Sequence, residues 1–194
     1  MNTTAGSRRL ILLMSVSLDG FLARTDGVID WLGERADRSV SHHAERHRTT
    51  LELLSQIGLI VLGRGAYQDM VRGWPGSDNP MARLMNALPK LVFSSSLPGV
   101  EWNNARLSRD PVEGALPALK HEPGNDIICF GGARFAHALA RHRLIDEYRL
   151  TIHPVALGDG LPLWHGLPEP QRLRLVSGTV YADGSVTQAY TPAA

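Results

Sequence analysis

A single cysteine, Cys129, among 194 residues excludes an internal disulfide and a zinc cluster built from cysteines. Excess charge is also missing: 20 Lys+Arg stand against 19 Asp+Glu, a net charge of +1, so the chain lacks the basic balance of a phosphate-backbone binder and nucleic acid is not expected as a partner. No apolar run approaches the roughly 18 residues of a membrane span, so no membrane partner is expected. No Gly-x-Ser-x-Gly elbow points to a hydrolase. What is present is 43% apolar residue, with 19 glycines and 12 prolines spaced as punctuation between short elements, which is the composition of a globular chain and not of a disordered one. The reading is a cytoplasmic protein with a flexible lead-in over residues 1–8, one domain over 9–191 and a tail over 192–194. Ser7-Arg8-Arg9 before the run Leu10 to Leu18 has the outline of a twin-arginine export signal, but Asp19-Gly20 and Arg24 follow with no small-residue cleavage site, so the run reads as a buried first strand.

Apolar runs bounded by Gly, Pro, Asp or Ser predict strands at Leu10 to Val16, Leu59 to Leu62, Leu91 to Phe93, Ile127 to Phe130 and Tyr148 to Val155. They are nearly continuous instead of alternating, as expected of parallel strands covered on both faces by helices. A helix is expected over Ser41 to Gln56. Asn79-Pro80 reads as a cap and first-turn proline opening Met81 to Leu88. Asp110-Pro111 repeats that signature, with the helix expected to be short or broken at Pro117. Leu161 to Pro170, with three prolines, reads as a long loop. Leu173 to Ala182 and Ser185 to Tyr190 flank Asp183-Gly184, a pair suited to positive φ angles, so the sheet is expected to end in an antiparallel hairpin.

Three strand ends carry possible chemistry. Ile127 to Phe130 meets Gly131-Gly132 and then the helical segment Ala133-Arg134-Phe135; the glycines either let a phosphate approach helix-start amides or simply turn the chain. Leu59 to Leu62 meets Gly63-Arg64-Gly65-Ala66-Tyr67, which adds a guanidinium able to grip phosphate oxygens with two donors. Val92-Phe93 meets Ser94-Ser95-Ser96, whose hydroxyls suit a ribose or its phosphate and equally a turn cap before Pro98. Two phosphate-friendly corners on one sheet edge would hold a dinucleotide.

These motifs occur in a familiar order: Met14 to Ala23, Leu62-Gly63-Arg64, the serine run, Gly131-Gly132, then Leu144 to Tyr148 and Pro154 to Gly160. From Arg9 to Tyr190 the chain resembles the dihydrofolate-reductase-like family, in the branch of the C-terminal reductase domain of the bacterial riboflavin deaminase-reductase, as a stand-alone member. The resemblance implies an α/β three-layer sandwich: a mostly parallel central sheet, helices on both faces and a C-terminal antiparallel hairpin. It implies NADPH across the strand edge, hydride transfer to a small heterocyclic substrate as in uracil-reductase-like or dihydrofolate-reductase-like enzymes, and a homodimer. Val16, Gly20 and Phe21 would border the nicotinamide. Gly63, Arg64, Gly65 and Ala66, with Gly131, Gly132, Ala133, Arg134 and Phe135, would hold the pyrophosphate, and Ser94, Ser95 and Ser96 would lie by the adenosine ribose.

Two departures stand out. Ala66 replaces the family's usual threonine, so one hydroxyl is missing, and the serine run lacks the arginine that often reads a 2'-phosphate, which leaves NADH admissible. On the substrate side Trp31 would wall a pocket for a flat ring, with Tyr67 and His153 beside it. Asp37, which stands where dihydrofolate reductases carry their acid after the tryptophan, and Asp19 are the rival catalytic proton donors. The alternative function is a non-catalytic protein that sequesters a nucleotide or drug-like ring. His43 and His47 lie one helical turn apart beside His42, but no third ligand is apparent, and histidines set among Arg35, Arg38, Arg46 and Arg48 read as a solvated or anion-facing basic segment, so no metal is expected.

Overall fold

The computed structural model describes residues 7–32 and 41–193. An eight-stranded sheet has the order β5-β4-β3-β6-β1-β7-β10-β9. Its strands are β1 (Leu10–Ser17), β3 (Ile57–Gly63), β4 (Lys90–Phe93), β5 (Ala105–Ser108), β6 (Asp126–Cys129), β7 (Glu147–His153), β9 (Leu173–Val180) and β10 (Val186–Pro192). The pairings from β5 through β7 are all parallel, and β10 and β9 close the sheet antiparallel. A second, two-stranded sheet pairs β2 (Phe21–Ala23) with β8 (Leu161–Pro162), a short strand inside the expected loop. The fold is the expected dihydrofolate-reductase-like one. No helix among the described residues is long and apolar enough to cross a membrane.

Alternate side chains of the apolar strands feed two cores. Leu10, Leu12, Val61, Ile127 and Cys129 pack with Leu116 of α4 (Val112–His121) and Leu139 of α5 (Ala133–Arg141). Ile11, Ile60, Leu62 and Ile128 pack with Leu54 of α1 (Ser41–Leu54), Tyr67 of α2 (Arg64–Val71) and Met85 of α3 (Pro80–Ala87). Asn79 caps α3 as expected, its side chain accepting from the Ala82 amide.

Four local expectations are corrected. Helix α4 runs unbroken through Pro117: the carbonyl the ring deprives of a donor belongs to exposed Glu113, on the solvent side, while fully buried Leu116 holds the helix down. Asp110 does not cap that helix; it is tied to the Ser108 hydroxyl. At the hairpin turn only Gly184 takes a positive φ, +78°, because the turn spans Tyr181 to Ser185 and Asp183 stays in ordinary space. Ser7 and Arg8 belong to the fold and not to a loose lead-in: the Arg8 amide donates to the Lys120 carbonyl and its side chain to the Asn125 carbonyl at 2.6 Å. Strand β5 escapes the sequence because four residues at a sheet edge show no apolar run.

Candidate functional site

Parallel strands followed by helices place every strand's carboxyl end, and every following helix's amino end, on one rim. Along that rim the sheet order brings the serine run (β4), Gly63-Arg64 (β3), Gly131-Gly132 (β6), the turn after Ser17 (β1) and His153 (β7) side by side. From β4 to β1 is three strand spacings, about 14 Å, a span that a two-nucleotide ligand bridges and a lone phosphate does not.

The two glycine corners touch. A Cβ on Gly63 would lie 2.7 Å from the Phe135 Cβ, so the end of β3 can press on α5 only without a side chain. A Cβ on Gly132 would sit 3.5 Å from the methyl of Ala66, which sets the starts of α2 and α5 next to each other. Gly131 and Gly132 have φ of +116° and +85°, conformations that other residues adopt only with strain. Neither helix start has a side-chain cap, so the first-turn amides of Arg64, Gly65 and Ala66, and of Ala133 and Arg134, have no helical acceptor and stay open for an anion. Phe135 stacks on Phe93 at 5.6 Å and braces the corner. Arg64 and Arg134 are exposed there, and Arg64 donates to the Ser96 hydroxyl at 3.1 Å.

The serine loop is held by a residue that sequence reasoning missed. Arg109 donates to the carbonyls of Ser94, Ser95 and Leu97. Ser94 itself is a turn cap, its hydroxyl accepting from the Ser96 and Leu97 amides. Two guanidinium groups therefore flank a run that carries no charge of its own, a relation formed across space with no local signal.

At the β1 end Val16 is buried, Gly20 has φ of +91°, and the Phe21 amide donates to the Ser17 hydroxyl. Asp19 accepts from that same hydroxyl at 2.6 Å and from the amides of Leu157 and Gly158. The Ser17 bond first, then the Gly158 and Leu157 amides, hold its carboxyl below the ordinary range. Asp19 is a turn lock kept ionised, a poor source of protons, which runs against its expected catalytic part. Asp37 lies outside the described residues, as do the side chains of His42 and His43.

Tyr67 also departs from expectation. It is 5% exposed, packed in the α2 core, with its hydroxyl accepting from the Glu101 amide at 2.7 Å, so it braces the scaffold instead of facing a ligand. Trp31 and His153 meet edge to face at 5.7 Å, and His153 Nε2 is 3.1 Å from the hydroxyl of Ser15. Exposed Leu18, Val28 and Ile29 supply apolar surface on the segments around the β1 end. Ser15 was overlooked because it sits within an apolar strand; a polar residue interrupting such a run was the available signal. Cys129 is fully buried, and burial pushes its thiol up to about 12, which makes it inert.

Residues 8–187 match the RibD C-terminal domain family, and the chain belongs to that family. It is 30% identical over 195 residues to the uncharacterized protein YyaP of Bacillus subtilis, covering 98% of each chain. It is 29% identical over 171 residues to YwjB of the same organism, covering 87% of this chain and 89% of that one. Among solved structures it is similar to a putative riboflavin biosynthesis protein from Shewanella, with TM-score 0.73 and 22% identity over 96% of this chain and 99% of that one. A dihydrofolate reductase from Enterococcus faecalis complexed with NADP(H) shares the fold at TM-score 0.61 and 13% identity, over 96% and 97% of the two chains.

Proposed function

We propose that this member of the RibD C-terminal domain family is an NADPH-dependent reductase of a small heterocyclic substrate. The observation that carries the reading is the pair of uncapped helix starts at Gly63 and Gly132, set against each other on adjacent parallel strands with Arg64 and Arg134 exposed beside them. Backbone amides and two guanidinium groups there suit a pyrophosphate. Arg64 and Arg109 at the serine loop favour NADPH over NADH, since they supply the cationic partners for a 2'-phosphate that the serines lack. When bound, the nicotinamide supplies the hydride. The chain's own residues orient it: Gly20 and Phe21 shape the β1 end, and Trp31 and His153 bound the place for a flat ring. A homodimer is part of the same reading, and the edge strand β9 offers Leu175, Val176 and Val180 as exposed apolar surface for it.

The test is a fluorescence or calorimetric titration with NADPH and NADH. NADPH is expected to bind more tightly, and binding of neither removes the proposal. A sequestering protein on the same scaffold is the second reading, favoured by the absent hydroxyl at Ala66 and the engaged carboxylate of Asp19. Sustained oxidation of NADPH with any pterin or pyrimidine excludes it.

A further inference from the structure

The face of the sheet that α1 covers is mostly aliphatic at β3 and β6 but turns polar at β1 and β7, where Ser15 and Ser17 stand in register with Thr151 and His153. Ser15 and His153 are both partly exposed, so a ligand lying on this face beside the β1 end can reach them. Above them stands Trp31, edge-on to the imidazole, and its indole Nε1 is buried with no hydrogen-bond partner among the described residues. A buried donor left unpaired costs about 1–3 kcal/mol, so an acceptor belongs there in the working state.

We propose that Ser15 and His153 form a proton relay to the substrate and that the Trp31 N–H holds a carbonyl or ring nitrogen of it, an inference that rests on the reductase reading above. The substrate class this fits is a flat lactam-type ring with a conjugated C=N bond to be reduced. The ring carbon gains the hydride with its electron pair, and the π pair of the C=N bond moves onto nitrogen. That nitrogen takes the Ser15 hydroxyl proton as the Ser15 oxygen takes the Nε2 proton of His153. The ring is reduced by two electrons, the nicotinamide is oxidised, and the imidazole regains its proton from solvent. Ser15 is then the catalytic residue, and His153 acts through it. The charged groups on the surrounding elements have their own engagements: Asp19 with the Leu157 and Gly158 amides, Arg46 with Asp183 and Ser185, and Arg149 with Glu147.

The test starts with NADPH binding to the wild-type chain; its absence removes the reductase reading and the relay together. Given binding, loss of reduced nicotinamide is followed with a pterin and a quinazolin-4-one, two lactam rings with a conjugated C=N bond, as ring probes. Ser15→Ala and His153→Gln are each expected to lower turnover by about 100-fold or more with NADPH affinity unchanged, and Ser15→Thr, which keeps a hydroxyl, to recover most of it. Wild-type turnover in both loss variants, with NADPH binding intact, overturns the relay and leaves the reductase reading standing. A second readout needs no turnover. The imidazole resonances of His153, assigned by their loss in His153→Gln, are expected to shift when either probe is added to the NADPH complex, and Trp31→Phe to weaken probe binding about fivefold. No shift with either probe overturns the proposal as well.

Discussion

At the amino-terminal rim of the parallel strands Arg9 donates to both Asp126 and Glu147, Arg149 donates to Glu147, and Lys120 meets Asp146 at 2.6 Å. Even Lys90, fully buried at the start of β4, donates to the carbonyls of Asn86, Leu88 and Asn103 and lies 4.7 Å over the Trp102 ring, while burial pulls its ammonium down to about 8. At the carboxyl-terminal rim Arg64 makes one bond to an exposed serine, and the helix starts beside it are uncapped. The difference follows from helix polarity. Carbonyl-rich helix ends gather at the first rim, where the end of α3 takes up Lys90 beside the carboxylates that hold Arg9, Arg149 and Lys120, whereas amide-rich helix starts gather at the second, where the glycine caps bring no acceptor. Charge at the first rim holds the fold; at the second Arg109 and Asp19 brace their loops, while Arg64, Arg134 and the helix-start amides stand exposed.

Removing a charge at each rim should therefore fail in different ways. Glu147→Ala strips the buried acceptor from two arginines and is expected to cost about 2 kcal/mol of stability in chemical denaturation, with NADPH affinity of the folded protein unchanged. A drop in affinity without a drop in stability would break the contrast. Arg64→Ala is the mirror case: binding of NADPH weakens by about 2 kcal/mol, roughly 30-fold, while the ligand-free melting temperature stays put. The smallest effect lies away from both rims, where the hairpin turn meets α1. Burial would raise the Asp183 carboxyl, but bonds from the Ser185 hydroxyl and amide and from Arg46 outweigh it and hold the group at about 2. A carboxyl depressed in the fold stabilises it fully above the ordinary carboxylate range and loses that contribution as pH falls from about 4 toward 2. Asp183→Asn should flatten that acid limb without touching NADPH binding.

How much could be read beforehand differs between scaffold and site. Strands β1, β3, β4, β6 and β7 announce themselves because burial on both faces demands unbroken apolar runs, and the glycine corners because a backbone approach leaves no room for a Cβ. Lys90 hides the true start of β4, since a charged residue argues against a strand core until the three carbonyls that receive it are in place. Trp31 and His153 were legible as candidates. Their mutual contact was not, and neither was the commitment of Tyr67 to Glu101 or of Asp19 to the Leu157–Gly158 turn.

From its own residues the chain determines a doubly covered parallel sheet ending in a hairpin, and at which strand ends the backbone is bare, because apolar periodicity and glycine placement are local properties. Only the tertiary structure decides that the bare corners of β3 and β6 are neighbours, that Arg109 reaches back to the serine loop and that Ser15 faces His153. Those relations depend on strand order and register, which join residues dozens of positions apart and leave no trace in any short stretch of the chain.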